Sequence, residues 1–154
     1  MAGKTNGLKK SPFCNMKRNK PLFYRSDIPR GVIVKKIKHK NRGVFAKKNF
    51  LKNEIIERSP VIVLNKKDSY LCEKTILDHY LFAWKNNQDG AIALGYGSLY
   101  NHSYHPNALY ERDYKKKKLV FQALKDIKKS EEITINYNHD PKDKSPISWI
   151  KKIY

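Results

Sequence analysis

The chain has 154 residues, of which 33 are Lys or Arg and 14 are Asp or Glu, so its formal net charge is +19. This length suits one folded domain with short extensions, and the charge favours contact with DNA, RNA, nucleosomes or an anionic surface without indicating a fold. No apolar run approaches the ~20 residues of a membrane span, so we expect a soluble, intracellular protein without membrane contact.

A solvated surface in a lysine-rich protein explains the charge equally well. Residues 1–29 are polar, basic and interrupted by prolines, which predicts a basic N-terminal arm. The two cysteines, Cys14 and Cys72, are too few and too far apart for a disulfide scaffold or a Cys-rich zinc site. This cysteine usage favours a reducing compartment.

Short strands dominate the pattern after the arm, which predicts a mostly β fold. The predicted strands cover residues 32–34, 43–46, 54–64 with a bend at Pro60, 91–94, 108–112, 119–124 and 133–137. One helix is predicted from Asp68 to about Trp84, because apolar residues recur there at three- and four-residue spacings. Asp68 or Ser69 is the expected N-cap.

An internal repeat relates residues 46–56 to residues 123–133, which share Ala, Lys, Lys, Glu and Ile at equivalent positions. Each copy predicts a strand, a tight turn and a second strand. The turn positions are Asn53 and Ser130, and such polar residues suit turns, Asn in particular because it tolerates positive φ. We therefore expect two similar β units, one on each side of the helix.

The densest cluster of unusual residues lies at 95–108 and contains turn formers, aromatics and two histidines. His102 and His105 have a spacing that could bind metal, but two ligands do not make a zinc site. Ser103 beside His102 does not establish a catalytic triad, because adjacency is not geometry. An ordinary Asn/His turn is the plain alternative for this segment.

Three segments together resemble the SET-domain protein lysine methyltransferases. They are Arg42-Gly-Val-Phe-Ala46, Asn101-His-Ser-Tyr-His-Pro-Asn107 and Glu131-Glu-Ile-Thr-Ile-Asn-Tyr137. The resemblance covers about Val32 to Tyr137 and is closest to the minimal stand-alone SET proteins of viruses. It implies a mostly β SET fold (β-clip) over residues 30–137, with short-stranded sheets, a C-terminal pseudoknot, one main helix, and residues 138–154 completing the site.

The resemblance also implies S-adenosylmethionine as the cofactor and no metal. The implied cofactor contacts are Arg42, Gly43, Val44 and Phe45 through the main chain, Asn101 and His102, and Trp149 as a C-terminal cover. Tyr137 matches the tyrosine at the site of methyl transfer, although a strand-end tyrosine packed on the core is the plain alternative. Tyr80 and Tyr110 are the expected walls of a lysine channel. Asn41 stands where many relatives have glycine, and asparagine can adopt the left-handed conformation such a turn requires.

The implied function is transfer of a methyl group to a lysine side chain, with a histone or another basic protein as the substrate. The alternative is a non-catalytic SET-fold module that binds chromatin or nucleic acid, which the charge favours and the retained Asn101, His102 and Tyr137 oppose. We expect acidic residues near the channel, with Glu111 and Asp113 as candidates, because a basic tail would otherwise be repelled. Nucleosome contact, a homodimer, and a nuclear or chromatin location are further expectations.

Overall fold

The computed structural model describes residues 29–38, 41–86 and 88–147. In chain order the elements are β1 (Val32–Ile37), β2 (Asn41–Ala46), β3 (Ile55–Leu64), α1 (Lys66–Glu73), a 3-10 helix (Ile76–Tyr80), β4 (Leu81–Ala83), β5 (Gly90–Ala93), a second 3-10 helix (Gly97–Leu99), β6 (Asn101–His102), β7 (Ala108–Asp113), β8 (Lys118–Ala123) and β9 (Glu132–Ile135). The mostly β prediction is confirmed. Residues 1–28 of the predicted arm and Trp149 lie outside the described residues.

The strands form two sheets, with orders β1-β2-β9-β6 and β4-β5-β3-β8-β7. β9 lies between β2, to which it is antiparallel, and β6, to which it is parallel. This insertion places Asn101 and His102 of β6 opposite Thr134 and Ile135 of β9. Two segments that are about thirty residues apart in sequence therefore meet at the point where the chain leaves β9 toward Tyr137.

The core lies between the sheets, and its residues follow the two-residue period of a strand that is buried on one face. In β8, Leu119, Phe121 and Ala123 are buried while the residues between them are half-buried. β9 repeats the pattern with Ile133 and Ile135. No helix within the described part of the chain is long and apolar enough to cross a membrane.

The predicted helix is correct only in its first part, because α1 ends at Glu73. Its N-cap is Asn65 rather than Asp68 or Ser69, and the Asn65 side chain accepts a hydrogen bond from the Asp68 N–H at 3.0 Å. The helix ends close to Thr75. The Thr75 hydroxyl donates a hydrogen bond to a carbonyl in the last turn of α1, and it accepts a hydrogen bond from an N–H at the start of the 3-10 helix. Such side-chain bonds to the backbone compete with helix continuation.

The apolar spacing that suggested a longer helix does not mark a buried face. Leu71 and Ile76 are 54% and 70% exposed, whereas Trp84 is buried after β4, edge-on to Tyr114. The extended stretch predicted for residues 54–64 is confirmed as β3, and the bend at Pro60 stays a prediction. β3 continues through Pro60 and exchanges partners there, pairing with β8 up to Pro60 and with β5 from Val61.

The turn residues of the internal repeat behave as predicted. Asn53 and Ser130 have φ angles of 68° and 72°, in the left-handed region that non-glycine residues rarely adopt. Asn41, at the start of β2, also takes a positive φ, 66°. The prediction that asparagine replaces glycine at this turn without abolishing it is therefore confirmed.

Candidate active site

A cavity of about 310 Å³ lies beside the five-stranded sheet and is walled by tyrosines from distant parts of the chain. Tyr80 ends the first 3-10 helix, Tyr100 precedes β6, Tyr110 lies in β7 and Tyr137 follows β9. Tyr100 and Tyr110 are almost fully buried. The structure thus brings together Tyr80, Tyr110 and Tyr137, the three tyrosines that the sequence selected.

Tyr137 is fixed from both its hydroxyl and its backbone. The hydroxyl donates to the Tyr100 carbonyl at 2.8 Å, and the backbone N–H donates to His102 Nδ1 at 3.2 Å. Burial raises the pKa of Tyr137 to about 12. The raised pKa favours the protonated hydroxyl at neutral pH, which suits orientation of a reacting group better than the role of general base.

Asn101 joins the ends of three strands. Its Nδ2 donates to the Arg42 carbonyl of β2 at 2.8 Å and to Glu132 Oε1 of β9 at 2.7 Å, while no described residue donates to its Oδ1. Gly43 approaches so closely that a Cβ would lie 2.8 Å from Asn101 Nδ2. The segment 42–43 and Asn101 thus form one compact corner, in which glycine is required by the close approach.

Arg42 connects this corner to the tyrosine cavity. Its Nη2 donates to the Tyr80 hydroxyl at 2.9 Å, and its guanidinium carbon lies 5.7 Å from the centre of the Tyr80 ring. Val44 and Phe45 lie deeper in the sheet, where they pair with β1 on one side and β9 on the other. Of the four residues predicted to contact the cofactor through the main chain, Val44 and Phe45 therefore pair with β9, whereas Arg42 and Gly43 do not.

His102 is buried, and its ring lies between those of Tyr104 and Tyr137 at centroid distances of 4.5 and 5.2 Å. Burial, followed by the charge of Lys144, lowers its pKa. Because Nδ1 accepts the Tyr137 N–H, the neutral ring carries its proton on Nε2, which has no hydrogen-bond partner among the described residues. A buried donor without a partner is costly, and it fits a ligand that brings an acceptor to this position.

No metal-binding cluster of three or more His, Cys, Asp or Glu side chains occurs in residues 29–38, 41–86 and 88–147. His105, the second histidine of the segment, is exposed, unlike His102. The described C-terminal residues also reach the site, because Asn138 and Ile147 line the cavity. Trp149, predicted to cover the cofactor, lies just beyond them and is not described.

The acidic residues near the cavity differ from the two that were expected. Glu111 is exposed on β7, and Asp113 accepts the Lys116 N–H in the turn between β7 and β8; neither lines the cavity. Three other acids line it: Glu73, Asp78 and Asp89. They lie in helical and loop segments with no distinguishing pattern, so only the folded arrangement identifies them. Tyr100 was also missed, although it immediately precedes Asn101-His102.

The SET domain family model matches residues 41–138. A Schizosaccharomyces pombe protein, a histone-lysine N-methyltransferase specific for H3 lysine-37, is 33% identical over 105 residues, which cover 68% of this chain and 71% of that protein. The crystal structure of a Plasmodium falciparum protein assigned as a histone methyltransferase is similar with a TM-score of 0.57 and 32% identity, covering 73% of this chain and 97% of that one.

A chain of the Chaetomium thermophilum Polycomb Repressive Complex 2, solved in an autoinhibited conformation bound to S-adenosylmethionine, is similar with a TM-score of 0.60. It is 20% identical, and the match covers 70% of this chain and 15% of that one, so this likeness shows the fold alone. The family match includes the four tyrosines of the cavity and the Asn101 corner. The chain therefore belongs to the SET-domain family and is an S-adenosylmethionine-dependent protein-lysine N-methyltransferase.

Proposed function

We propose that this chain methylates a lysine on a histone tail or a similar basic tail, and that Tyr137 is the residue at the methyl-transfer site. The observation that carries the proposal is the position of Tyr137, which lines a tyrosine-walled cavity and whose hydroxyl is fixed by the Tyr100 carbonyl. Tyr137 also contacts His102, which is next to the Asn101 corner. A lysine in the cavity and a cofactor at the corner would meet at this residue.

The cavity suits the protonation state that methyl transfer requires, since only a neutral amine has a lone pair to attack the methyl carbon. A free lysine with a pKa of ~10.4 pays roughly 4.6 kcal/mol to be neutral at pH 7. Burial among apolar rings disfavours the ammonium form and reduces this cost. Tyr100 and Tyr110, 2% and 3% exposed, supply that environment.

Tyr137 is proposed to orient the amine rather than to deprotonate it. Its pKa of about 12 keeps the proton on the hydroxyl, and that proton is directed to the Tyr100 carbonyl. The hydroxyl oxygen remains able to accept a hydrogen bond from a lysine amine. Alignment of this kind lowers the barrier without a strong base, and the amine loses its proton to water.

The Asn101 corner is proposed to hold the cofactor. S-adenosylmethionine supplies, when bound, a methyl group on a positively charged sulfonium. Asn101 Oδ1 and His102 Nε2 offer an acceptor and a buried donor that no described residue uses, and Arg42 and Gly43 contribute main-chain groups. Val44 and Phe45 support them from within the sheet, and Trp149 stays the predicted C-terminal cover.

A basic substrate is supported by the charge around the cavity. The chain as a whole carries +19, yet Glu73, Asp78 and Asp89 line the cavity, and none of its described lining residues is lysine or arginine. These acids would attract a lysine-bearing tail that the rest of the surface repels. The H3 lysine-37 specificity of the S. pombe relative also favours a histone.

Contact with nucleic acid is a second element of the proposal. Lys115, Lys116 and Lys117 are exposed at the turn between β7 and β8, which gives a compact positive tip. Such a tip could dock on the DNA of a nucleosome while the tail enters the cavity. Chromatin is the corresponding proposed location. A homodimer, and closest kinship with the minimal viral SET proteins, stay predictions.

The non-catalytic SET-fold module that binds chromatin or nucleic acid, the alternative left open by the sequence, is opposed by the family match and by the S. pombe relative. The +19 charge favours it, because the charge alone is sufficient for binding a polyanion. The fixed Tyr137 hydroxyl favours turnover instead, and so does the His102 donor, which has no acceptor in the described part of the chain. The two candidates differ in one observable, which is transfer of a methyl group to lysine.

The test is to incubate the purified chain with labelled S-adenosylmethionine and, separately, histones, nucleosomes, ribosomal proteins and no added protein. We expect label on a lysine of a histone, and the last arm measures methylation of the chain's own lysines. Label only on ribosomal proteins or only on the chain itself would contradict the histone proposal. Binding to nucleosomes without any label would favour the non-catalytic module.

A further inference from the structure

A buried carboxylate outside the cavity is the group that the mechanism has not used. Glu57 of β3 is 3% exposed, and burial raises its pKa. It accepts three hydrogen bonds: from Ser59 Oγ at 2.7 Å, from the Tyr96 N–H at 3.0 Å and from the Tyr100 hydroxyl at 2.9 Å. Within the described residues no Lys, Arg or His forms an ion pair with it. Burying a carboxylate without a cation is costly, so a specific role is expected.

Two of these donors, Tyr96 and Tyr100, lie in the connection between β5 and β6, so Glu57 lies against the turn that leads into the Asn101 corner. The Tyr96 N–H comes from the middle of that turn and the Tyr100 hydroxyl from its end, so the carboxylate holds the turn at two points. The backbone lies directly on the carboxylate, because a Cβ at Gly95 would be 2.6 Å from Glu57 Oε1. Gly95 also has a φ of +69°. Glycine is therefore required there for both space and conformation.

Tyr100 transmits this support to the reacting centre. Its hydroxyl is held by Glu57, its ring packs on Phe121 at a centroid distance of 4.5 Å, and its carbonyl accepts the Tyr137 hydroxyl at 2.8 Å. Two hydrogen bonds and one rigid residue thus connect Glu57 to Tyr137. Glu57 is absent from the described lining of the cavity, so it reaches the reacting centre only through the residues that it holds, and Tyr100 is the one of them that contacts Tyr137.

We propose that Glu57 is a positioning residue for methyl transfer: it fixes Tyr100, whose carbonyl sets the direction of the Tyr137 hydroxyl. This inference rests on the proposed role of Tyr137. A hydroxyl that is free to rotate would spend less time in the orientation that receives the amine, and small displacements of such groups reduce rate strongly. The effect should fall on kcat, because neither the cofactor corner nor the acidic lining of the cavity involves Glu57.

The test compares Glu57→Gln with Tyr100→Phe and with Glu54→Gln as the matched control. Glutamine keeps the volume of Glu57 but replaces one acceptor oxygen by an NH₂ group, while Tyr100→Phe removes only the hydroxyl that Glu57 holds. Glu54 belongs to the exposed turn before β3 and is hydrogen-bonded to Leu51 N. We expect kcat to fall at least about tenfold for the first two variants with KM within about twofold, and to stay unchanged for Glu54→Gln.

A double-mutant cycle with Tyr137→Phe separates positioning from general loss of structure. Without the Tyr137 hydroxyl there is nothing to orient, so adding Glu57→Gln to Tyr137→Phe should change the residual rate by less than about twofold. The same fold-loss in both backgrounds would overturn the inference, as would wild-type kcat in Glu57→Gln. If Glu57→Gln does not fold, the same cycle with Tyr100→Phe in place of Glu57→Gln tests the inference. If the wild type methylates no lysine, the proposed function itself fails and this inference fails with it.

Discussion

Phe50 and Ile127 exchange both of their backbone hydrogen bonds, each N–H donating to the other's carbonyl at 2.9 Å. They occupy equivalent positions of the internal repeat, so the two copies face each other across this pair. Equivalent contacts recur on either side of it: Asn53 N–H to Ala123 O and Ser130 N–H to Ala46 O, each 2.8 Å. The repeat therefore forms a local two-fold clamp that holds β3 and β9, the strands that carry Glu57 and lead into Tyr137.

The clamp predicts that Ser130→Gly stabilises the protein. Ser130 has a φ of 72°, where a side chain is strained and glycine is not. We expect the free energy of unfolding in urea to rise by up to about 1 kcal/mol. Ser130→Ala, which keeps a Cβ at the same φ, is the control and should give no gain. Equal effects of the two substitutions would contradict a strained turn.

Asn101→Ala tests the cofactor corner. The variant loses the bonds to the Arg42 carbonyl and Glu132, and also the Oδ1 proposed to contact the cofactor. We expect S-adenosylmethionine to bind at least about tenfold more weakly by calorimetry, or ~1.4 kcal/mol, on a protein that still unfolds cooperatively. Asn49→Ala, in an exposed turn, should bind like the wild type. Unchanged affinity of Asn101→Ala would remove this residue from the site.

We predict that protonation of His102 destabilises the folded protein in mild acid. Its pKa in the folded protein is lowered from 6.5, so the unfolded chain binds more protons as pH falls below about 6.5. Its contribution to stability is present above that pH and is lost as pH falls through the folded pKa. Protonation also removes the acceptor for the Tyr137 N–H. The free energy of unfolding should therefore fall more between pH ~7.5 and ~5 in the wild type than in His102→Asn. His105→Asn, an exposed position, should behave as the wild type, and parallel curves for wild type and His102→Asn would contradict the assignment.

The basic tip between β7 and β8 predicts salt-dependent binding to DNA or nucleosomes. Each phosphate that a lysine neutralises adds about 0.9 to the slope of log affinity against log salt. Replacing Lys115, Lys116 and Lys117 by Gln should lower that slope by about two to three. The matched control replaces three other exposed lysines: Lys47, Lys52 and Lys129. An equal decrease of the slope in both triple variants would mean that binding depends on the total charge and not on this tip. Binding that does not change with salt would contradict a role for the tip.

The parts of the fold that depend on local pattern could be predicted from sequence. The strand periodicity, the turns at Asn53 and Ser130, and the three motif segments all reside in a few consecutive residues. The order β2-β9-β6 could not be derived this way, because a strand inserted between two distant segments leaves no local signal. The long helix failed because the Thr75 hydroxyl ends α1 while apolar spacing continues beyond it.

The residues of the site also fall into two groups, those that a local sequence pattern predicts and those that it does not. Tyr137, Asn101 and His102 were found through motifs, whereas Glu57, Tyr100 and the acidic lining depend on contacts between residues that are far apart in sequence. In the sequence, Glu57 resembles any charged residue of a strand. Only its burial and its three hydrogen bonds in the folded chain distinguish it from the others.

Turnover of Tyr137→Phe tests the central claim most directly, because phenylalanine keeps the ring and removes only the hydroxyl. Stability should change by no more than about 1 kcal/mol, and cofactor affinity should stay within a few-fold. The single-turnover rate of methyl transfer should fall by about a hundredfold or more, or ~2.7 kcal/mol of transition-state stabilisation. Tyr114→Phe, on the exposed hairpin, should react at the wild-type rate. A Tyr137→Phe variant that methylates as fast as the wild type would contradict the account at its centre.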